Sequence, residues 1–514
     1  MSRRTLITNA TLLTLAEPAP PGINQLLVED GRIAAIGQDL GVTDAEVIDA
    51  REGIVMPGMV DTHRHTWQSL LRATLADGSL YDYMAQVRYG YAPHFTAGDA
   101  ELGNYAGALD ALNAGVTTVV DNAHLVATPD HADALLTGLE NAGIRAVYCY
   151  GLPDVADPDV PIETERTFTS RWRHQDAERL RAERLPVSDG LIRFGISGSD
   201  FLFAPLQYTV PEVELARRLD AHRFSVHVAN GPFARGTRYV TRLLNKGLVD
   251  DRTLFVHGNV LSQADLSRIA SIGASISVTP ESEMQMGMGT PIWPAARNAG
   301  VACGLGVDIV SGGSGDLFTQ MRLALAAGRM AANDKLGAHR MMPEKLQLNT
   351  EHVLRAATIE GARAAGLENE VGTLEVGKRA DLILVRTAEH HLSPLLDPVK
   401  TVVVQAGAGD VELVMVDGRV VKRDGELVGT DRHGIEARLQ QTAERIFTAT
   451  TQQSLDQAYT YVRAAFPLDR ATALGARFVG KALQVRGLDN AVFRVMLAQS
   501  AKSEQPVIED RTTN

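Results

Sequence analysis

The sequence predicts an α/β protein: a (β/α)8 barrel of the TIM type, a small β-sandwich domain split between the N-terminal and C-terminal segments, and a C-terminal helical extension. Three observations predict it. Apolar runs of strand length alternate with helix-like segments through the middle of the chain. Strand-and-turn patterns of one kind flank that region on both sides, and beyond about residue 430 only helical periodicity remains. The expected division is a composite β domain at 1–58 and 371–430, a barrel at 59–370 and the extension at 431–514.

Residues 5–15, 25–28, 32–37 and 46–49 read as strands, and Asp30-Gly31 between the second and third is a two-residue hairpin signal. Residues 372–385 and 411–421, the latter with Asp417-Gly418, repeat this chemistry. A compact unit inserted into a domain brings its own ends together, so the two halves can form one body. The barrel region opens with the strand ending in His63-Arg64-His65. It continues through strands at 116–121, 145–150, 191–197, 224–229, 253–257, 274–279 and 301–308, with helical segments such as 99–114 and 129–141 between them. That makes about eight strands, the number that closes such a barrel. Residues 152–190 interrupt the alternation with an Arg-rich helix at 171–184, read as a solvated excursion. The extension shows helices at 436–448, 453–466 and 469–477, and residues 503–514 read as frayed.

Composition narrows the function. A formal charge of −12 argues against a nucleic-acid partner, because binding phosphates needs clustered positive charge. Only Cys149 and Cys303 occur, each in an apolar run, which excludes a disulfide framework and fits a reducing cytoplasm. No stretch approaches transmembrane length, and no continuous apolar leader follows Met1. The expected partner is a small-molecule substrate, with the chain acting as a homo-oligomer, dimer or tetramer.

In a strand, side chains alternate faces, so His63 and His65 point the same way and Arg64 the other. Two imidazoles on one face are half a metal site. His227, His257 and Asp308 stand at the predicted ends of the fifth, sixth and eighth strands, where this fold places its chemistry. One divalent ion held by His63, His65, His227 and Asp308 would have nitrogen and oxygen ligands suited to zinc or ferrous iron and an open position for water. Such an ion acidifies its water, and Asp308 could take the proton. The run Ser311-Gly312-Gly313-Ser314-Gly315 could bend over the site but lacks the ending of a phosphate loop. No nucleophile elbow stands between a strand and a helix.

At these residues the chain resembles the amidohydrolase superfamily, in the branch of cytosine deaminases, chlorotriazine hydrolases and adenosylhomocysteine or methylthioadenosine deaminases. The resemblance spans residues 1 to about 430. It rests on P-G-M-V-D-T-H-R-H at 57–65, V-H-G-N at 256–259, G-V-D at 306–308 and G-T-L-E-V-G-K-R-A-D-L at 372–382. It implies that His63, His65, His227 and Asp308 ligate the metal and that His257 polarises the substrate or steers the attacking hydroxide. The reaction it implies is hydrolytic deamination, or related C–N or C–halide hydrolysis, on a small nitrogen heterocycle.

Two departures bear on mechanism. Two-metal members carry a carboxylated lysine on the fourth strand, whereas residues 191–197 contain none and the first lysine is Lys246; one metal is expected. The deaminase branch has H-x-x-E after the fifth strand, whereas this chain has His227-Val228-Ala229-Asn230. An amide accepts and donates hydrogen bonds but does not shuttle a proton. His124 is the expected replacement, with Glu281 and Glu283 as alternatives, and Gln68, Trp67, Asn230, Glu281 and Met286 are the expected substrate contacts. A metal-dependent lyase or isomerase is the rival reading, because the family's acid is missing. A barrel without catalysis is disfavoured, since holding five polar groups in a pocket is costly.

Overall fold

The apolar runs of the middle region pair in parallel, in sequence order. This computed structural model describes residues 4–17, 24–156, 171–199 and 206–465. Among them, one eight-stranded sheet runs through Met59–Arg64, Val116–Ala123, Arg145–Gly151, Ile192–Ser197, Phe224–Val228, Thr253–His257, Ser275–Val278 and Ala302–Leu305. A bridge between Arg64 and Asp308 joins the last strand to the first. The first seven strands are buried along their whole length, which is why they read as apolar runs without alternation.

Two strand expectations need correction. Residues 301–308 are not one continuous strand: the ladder to the seventh strand ends at Leu305, and Asp308, with φ 68°, makes only an isolated bridge to Arg64. Residues 5–15 are two strands in two sheets, broken at Asn9, where φ is 52°. A left-handed residue cannot continue a ladder, so the chain changes sheet there. Arg4–Thr8 pairs with Gln25–Glu29 and Glu46–Asp49, while Thr11–Leu12 pairs with Ile54–Pro57.

That second sheet has six strands and unites the two ends of the barrel region: Thr11–Leu12 and Ile54–Pro57 lie beside Leu382–Val385, Val411–Val416, Arg419–Arg423 and Glu426–Leu427. The two hairpin signals are both real turns. Asp30 and Gly31 have φ of 47° and 82°, Asp417 and Gly418 of 50° and 73°, the paired positive values of a type I′ turn. The turns lie against each other: a Cβ on Gly418 would sit 2.6 Å from the Gly31 Cα.

Asp381, from the G-K-R-A-D-L stretch, docks this sheet on the barrel. Its carboxylate accepts two hydrogen bonds from Arg145, at 2.8 and 2.9 Å, at the start of the third barrel strand, and both side chains are 1% exposed. The same carboxylate accepts from the Asp417 amide.

The excursion helix, Trp172–Glu183, is less solvated than its composition suggests. Arg173 is buried and donates to the Val126 carbonyl, and Asp176 accepts from Tyr150 of the third strand. Its arginines satisfy barrel carbonyls as well as facing water. In the extension, Arg432–Ala449 and Gln452–Ala465 are helical. The helix expected at 469–477 and the tail at 503–514 lie outside the described residues.

Replacing Asp381 by alanine leaves the Arg145 guanidinium buried without its carboxylate. The expected cost is about 3–5 kcal/mol, measured as a lower urea midpoint.

Candidate active site and metal centre

His63 and His65 leave the first strand on its inner face, as their spacing requires, and both are buried. Arg64 points the other way: its Nε donates to Asp61 at 2.8 Å and its Nη2 to the Gly315 carbonyl at 2.7 Å. Asp61 also accepts from the Val307 amide, so one buried carboxylate pins the first strand to the chain that leads into Asp308. The ring closes there: the His65 amide donates to the Asp308 carbonyl and the Asp308 amide to the His63 carbonyl, each at 2.8 Å.

The ligand atoms converge. His63 Nε2 lies 3.2 Å from His227 Nε2 and 3.4 Å from Asp308 Oδ1, and His65 Nε2 lies 3.5 Å from the same oxygen. Nitrogens of His63, His65 and His227 all fall within 4.8 Å of one another. Nitrogen lone pairs held this close repel unless a cation sits among them, and this donor set suits a divalent ion of zinc type. The residues therefore fit the metal.

Their protonation suits it as well. Burial pushes the His63 imidazole down to about 4 and that of His65 well below its ordinary value, so both rings are neutral at pH 7. Burial alone would raise the Asp308 carboxyl, but a hydrogen bond from His63 and the nearby His257, His63 and His65 rings hold it far below the usual carboxylate range. Hydrogen bonds behind the ligands aim them. His65 Nδ1 donates to the Asn122 carbonyl at 3.0 Å, which leaves Nε2 as the lone-pair nitrogen. Ser282 Oγ donates to Asp308 Oδ2 at 2.6 Å, leaving Oδ1 toward the histidines.

His257 joins the cluster, its ring centroid 5.3 Å from that of His227 and 6.0 Å from that of His63. Glu283, fully buried, faces His257 Nδ1 at 3.3 Å and also accepts from the Thr279 amide and from Asn259. His257 and Asp308 have φ of 71° and 68°; two non-glycine residues in left-handed backbone at the ends of the sixth and eighth strands are the local strain that functional sites carry. Nothing in the residue types announced it.

The expected proton carrier, His124, is buried and stacked on His65 with centroids 3.9 Å apart. Trp67 Nε1 donates to His124 Nδ1 at 3.0 Å, so the ring proton sits on Nε2, which is 3.0 Å from Tyr83 Oη. Gln68 donates to the same Tyr83 oxygen and accepts from Ser311. Trp67 and Gln68 thus form a buried polar chain behind the cluster. Glu281 accepts from the Ser314 amide, the Ser314 hydroxyl and Gln320, tying down the loop at 311–315. Met286 is buried, and its carbonyl accepts from Leu80. Asn230, after the fifth strand, holds a buried Oδ1 that has no hydrogen-bond partner among the described residues. The fourth strand ends in Ser197, bonded to Asn122 Oδ1.

Sequence reading missed Tyr83, Arg88 and Ser282. Tyr83 and Arg88 lie on Tyr83–Tyr91, a helical turn that closes with an i→i+5 bond from Ala92 to Val87. Arg88 donates to the His124 carbonyl. The C-terminal helices pack on the outside of this turn: Tyr459 Oη donates to Asp82 at 3.0 Å and accepts from Gln86 at 2.6 Å, and Tyr461 meets the Tyr89 ring. Position in the chain gave no signal for that contact.

Comparison with known proteins agrees with the geometry. A profile described as the amidohydrolase family matches residues 54–194 and 222–421. A 5-methylthioadenosine/S-adenosylhomocysteine deaminase of Desulforudis audaxviator is 29% identical over 456 residues, covering 86% of this chain and 99% of that protein. A 5'-deoxyadenosine deaminase of Methanosarcina mazei is 27% identical, with 86% and 98% covered. Among solved structures, an adenosine deaminase from Xanthomonas campestris with bound zinc superposes with a TM-score of 0.74 at 25% identity, covering 86% of this chain and 98% of that one. An atrazine chlorohydrolase from Arthrobacter aurescens, complexed with zinc, shares the fold with a TM-score of 0.72 at 22% identity, covering 85% and 100%.

Replacing His227 by alanine removes one of three converging nitrogens. Elemental analysis of the dialysed protein should show bound divalent metal lost from the variant and retained by the wild type, with the thermal midpoint of the wild type falling on chelation.

Proposed function

The chain belongs to the amidohydrolase family, and from that premise we propose that it is a single-metal enzyme exchanging an amino group on a ring carbon of a small nitrogen heterocycle for oxygen. The observation that carries this reading is the convergence of His63, His65, His227 and Asp308 beside the His257–Glu283 pair. Names of the relatives support 6-aminopurine nucleosides, of which methylthioadenosine and S-adenosylhomocysteine are examples, as the first substrates to try. His63, His65, His227 and Asp308 would hold the ion, zinc first and ferrous iron second. When bound, it makes water acidic enough to react at neutral pH. The lack of a lysine on the fourth strand supports one metal.

Asp308 is the proton acceptor in this reading. Its Oδ2 is fixed by Ser282, its Oδ1 faces the histidines, and it is ionised at neutral pH. Exchange of an amino group for oxygen consumes one water: one proton ends on the ring nitrogen and the other leaves with ammonia. Asp308 returns its proton to the departing amine. The ring proton needs a second donor, and Asn230 is an amide. We assign that proton to the His257–Glu283 pair, whose hydrogen bond joins two groups able to hold it, and which recovers a proton from the added hydroxyl as the ring carbonyl forms. His124 then serves as a positioning residue, because Trp67 already donates to the nitrogen that would have to gain the proton. Asn230 Oδ1 remains to accept from a substrate N–H.

Asn230 also favours a second substrate class. A halide leaves as an anion and needs no proton, so displacement of ring-bound chloride places less demand on the missing acid. The lyase or isomerase alternative has no such support, since the family and the relatives are hydrolytic.

A homo-oligomer is proposed from the exposed Met341, Met342 and Leu396, which suit a subunit contact. A cytoplasmic location is proposed from the two free, buried cysteines. No described helix is long and apolar enough to cross a membrane.

Mass spectrometry of aminopurine nucleosides and chlorotriazines, incubated with the protein with and without chelator, tests the reaction. Chelator-sensitive replacement of amine or chloride by hydroxyl is expected; an isomer or two fragments formed without water would overturn it. With the substrate found, Asp308→Asn should lower kcat by about 10²–10⁴-fold. Glu283→Gln, which removes one of the two groups that hold the ring proton, should lower it by about 10²–10⁴-fold as well.

A further inference from the structure

The opposite face of the barrel holds a second concave site. A cleft of about 330 Å³ is lined by Arg181, Arg193, Arg223, Arg252, His222 and Asp220. Arg193 lies on the opening turn of the fourth strand, and Arg223 and Arg252 directly precede the fifth and sixth. The cleft therefore lies at the N-terminal ends of the strands whose C-terminal ends carry His227 and His257.

Its charge is poorly compensated. Four guanidiniums line it against one carboxylate, in a chain whose formal charge is −12. Among the described residues, Arg223 donates only to the main-chain carbonyls of Ala364, Asp251 and Arg363. Three of its five N–H groups are thereby used, and a carbonyl dipole does not neutralise a full charge. Arg181 likewise bonds to the Leu219 and Leu185 carbonyls. Arg193, 2% exposed, donates to Ser188 and Glu370, and its buried Nε has no partner among the described residues. Glu370 is itself shared with Arg145 and Arg379. His222 Nε2 donates to the Ala365 carbonyl, so it offers the cleft no negative charge. At the rim, Arg252 is paired with Asp220. Glu368, Asp251 and Asp189 act on these arginines only through longer-range attraction. Burial disfavours the charged forms of Arg193 and Arg223, and an anion seated between them would relieve that cost.

We propose that this cleft is a binding site for a multiply charged oxyanion, a phosphate or pyrophosphate group, held by the guanidiniums of Arg193, Arg223, Arg181 and Arg252. Planar forks of N–H donors match phosphate oxygens, and the remaining donors of Arg223 supply bonds that the described residues leave unmade. Asp220 occupies the position of a competing anion against Arg252.

The test is calorimetric titration of the full chain with inorganic pyrophosphate, inorganic phosphate, ADP and, at matched ionic strength, chloride. The His227→Ala variant is titrated in parallel, so that a phosphate on the catalytic metal is told apart from one in the cleft. Saturable binding is expected in both proteins, absent with chloride. Preference for ADP over pyrophosphate would mark a nucleotide as the source; equal binding would mark the free anion. Arg252→Gln, at a half-exposed rim position that folding tolerates, should weaken binding roughly tenfold or more, the loss of one charge-assisted hydrogen bond. Asp220→Asn removes the competing carboxylate and should tighten it. Asp220 has φ of 50°, a conformation asparagine shares, so this variant keeps the backbone. The proposal is overturned if binding does not saturate, disappears in His227→Ala, or is the same in wild type, Arg252→Gln and Asp220→Asn.

Discussion

The bridge between the first barrel strand and Asp308, just beyond the eighth, is the contact on which the site depends. Two main-chain hydrogen bonds, from His65 to Asp308 and from Asp308 to His63, close the barrel and set two of the converging imidazoles and the Asp308 carboxylate around one point. Because the backbone does this, the side chains are ordered before any ligand binds. The left-handed conformation of Asp308 is the local cost, and it is what turns the carboxylate inward instead of letting the strand run on.

Around that closure lies a buried polar layer whose members each have a task. Asp61 and Arg64 tie the first strand to the chain entering Asp308 and to Gly315. Ser282 and Glu283, from one short helix, hold Asp308 and His257 respectively. Trp67, His124, Tyr83, Gln68 and Ser311 form a continuous chain of hydrogen bonds beside His65. A buried network of this kind is stabilising only when its members are satisfied, and when they are it fixes a single arrangement. The few atoms left without partners, Asn230 Oδ1 among them, therefore stand out.

Elements remote from the chemistry hold its walls. Among the described residues, the helix Gln452–Ala465 braces the Tyr83–Tyr91 turn through Tyr459, Gln86 and Asp82, while Arg432–Ala449 packs on the Thr66–Leu71 turn that carries Trp67 and Gln68. On the far side, Asp381 and Arg145 lock the composite sheet to the barrel through a pair buried on both sides. Arg145, Arg193 and Arg223 all sit at strand beginnings, yet only Arg145 has a buried carboxylate of its own. That difference separates a docking contact from the cationic cleft.

The sequence alone determined the barrel, the split β unit, the two type I′ hairpins and the H-x-H pair, because each depends on local rules: period-two alternation, apolar runs and Asp-Gly turns. The expected ligand set rests on residues at predicted strand ends and on the family motifs together. Roles of His124, Glu281 and Glu283 were not legible, since three residues of similar chemistry near strand ends differ only in what the fold puts beside them. Tertiary structure gave Glu283 to His257, Glu281 to the Ser314 loop, and both ring nitrogens of His124 to Trp67 and Tyr83. It also buried Arg173 in a helix that composition marks as solvated, and gathered arginines from three strand beginnings into one cleft. Local pattern fixes which way a side chain faces; only the assembled barrel decides what it meets there, because those partners lie tens to hundreds of residues away in the chain.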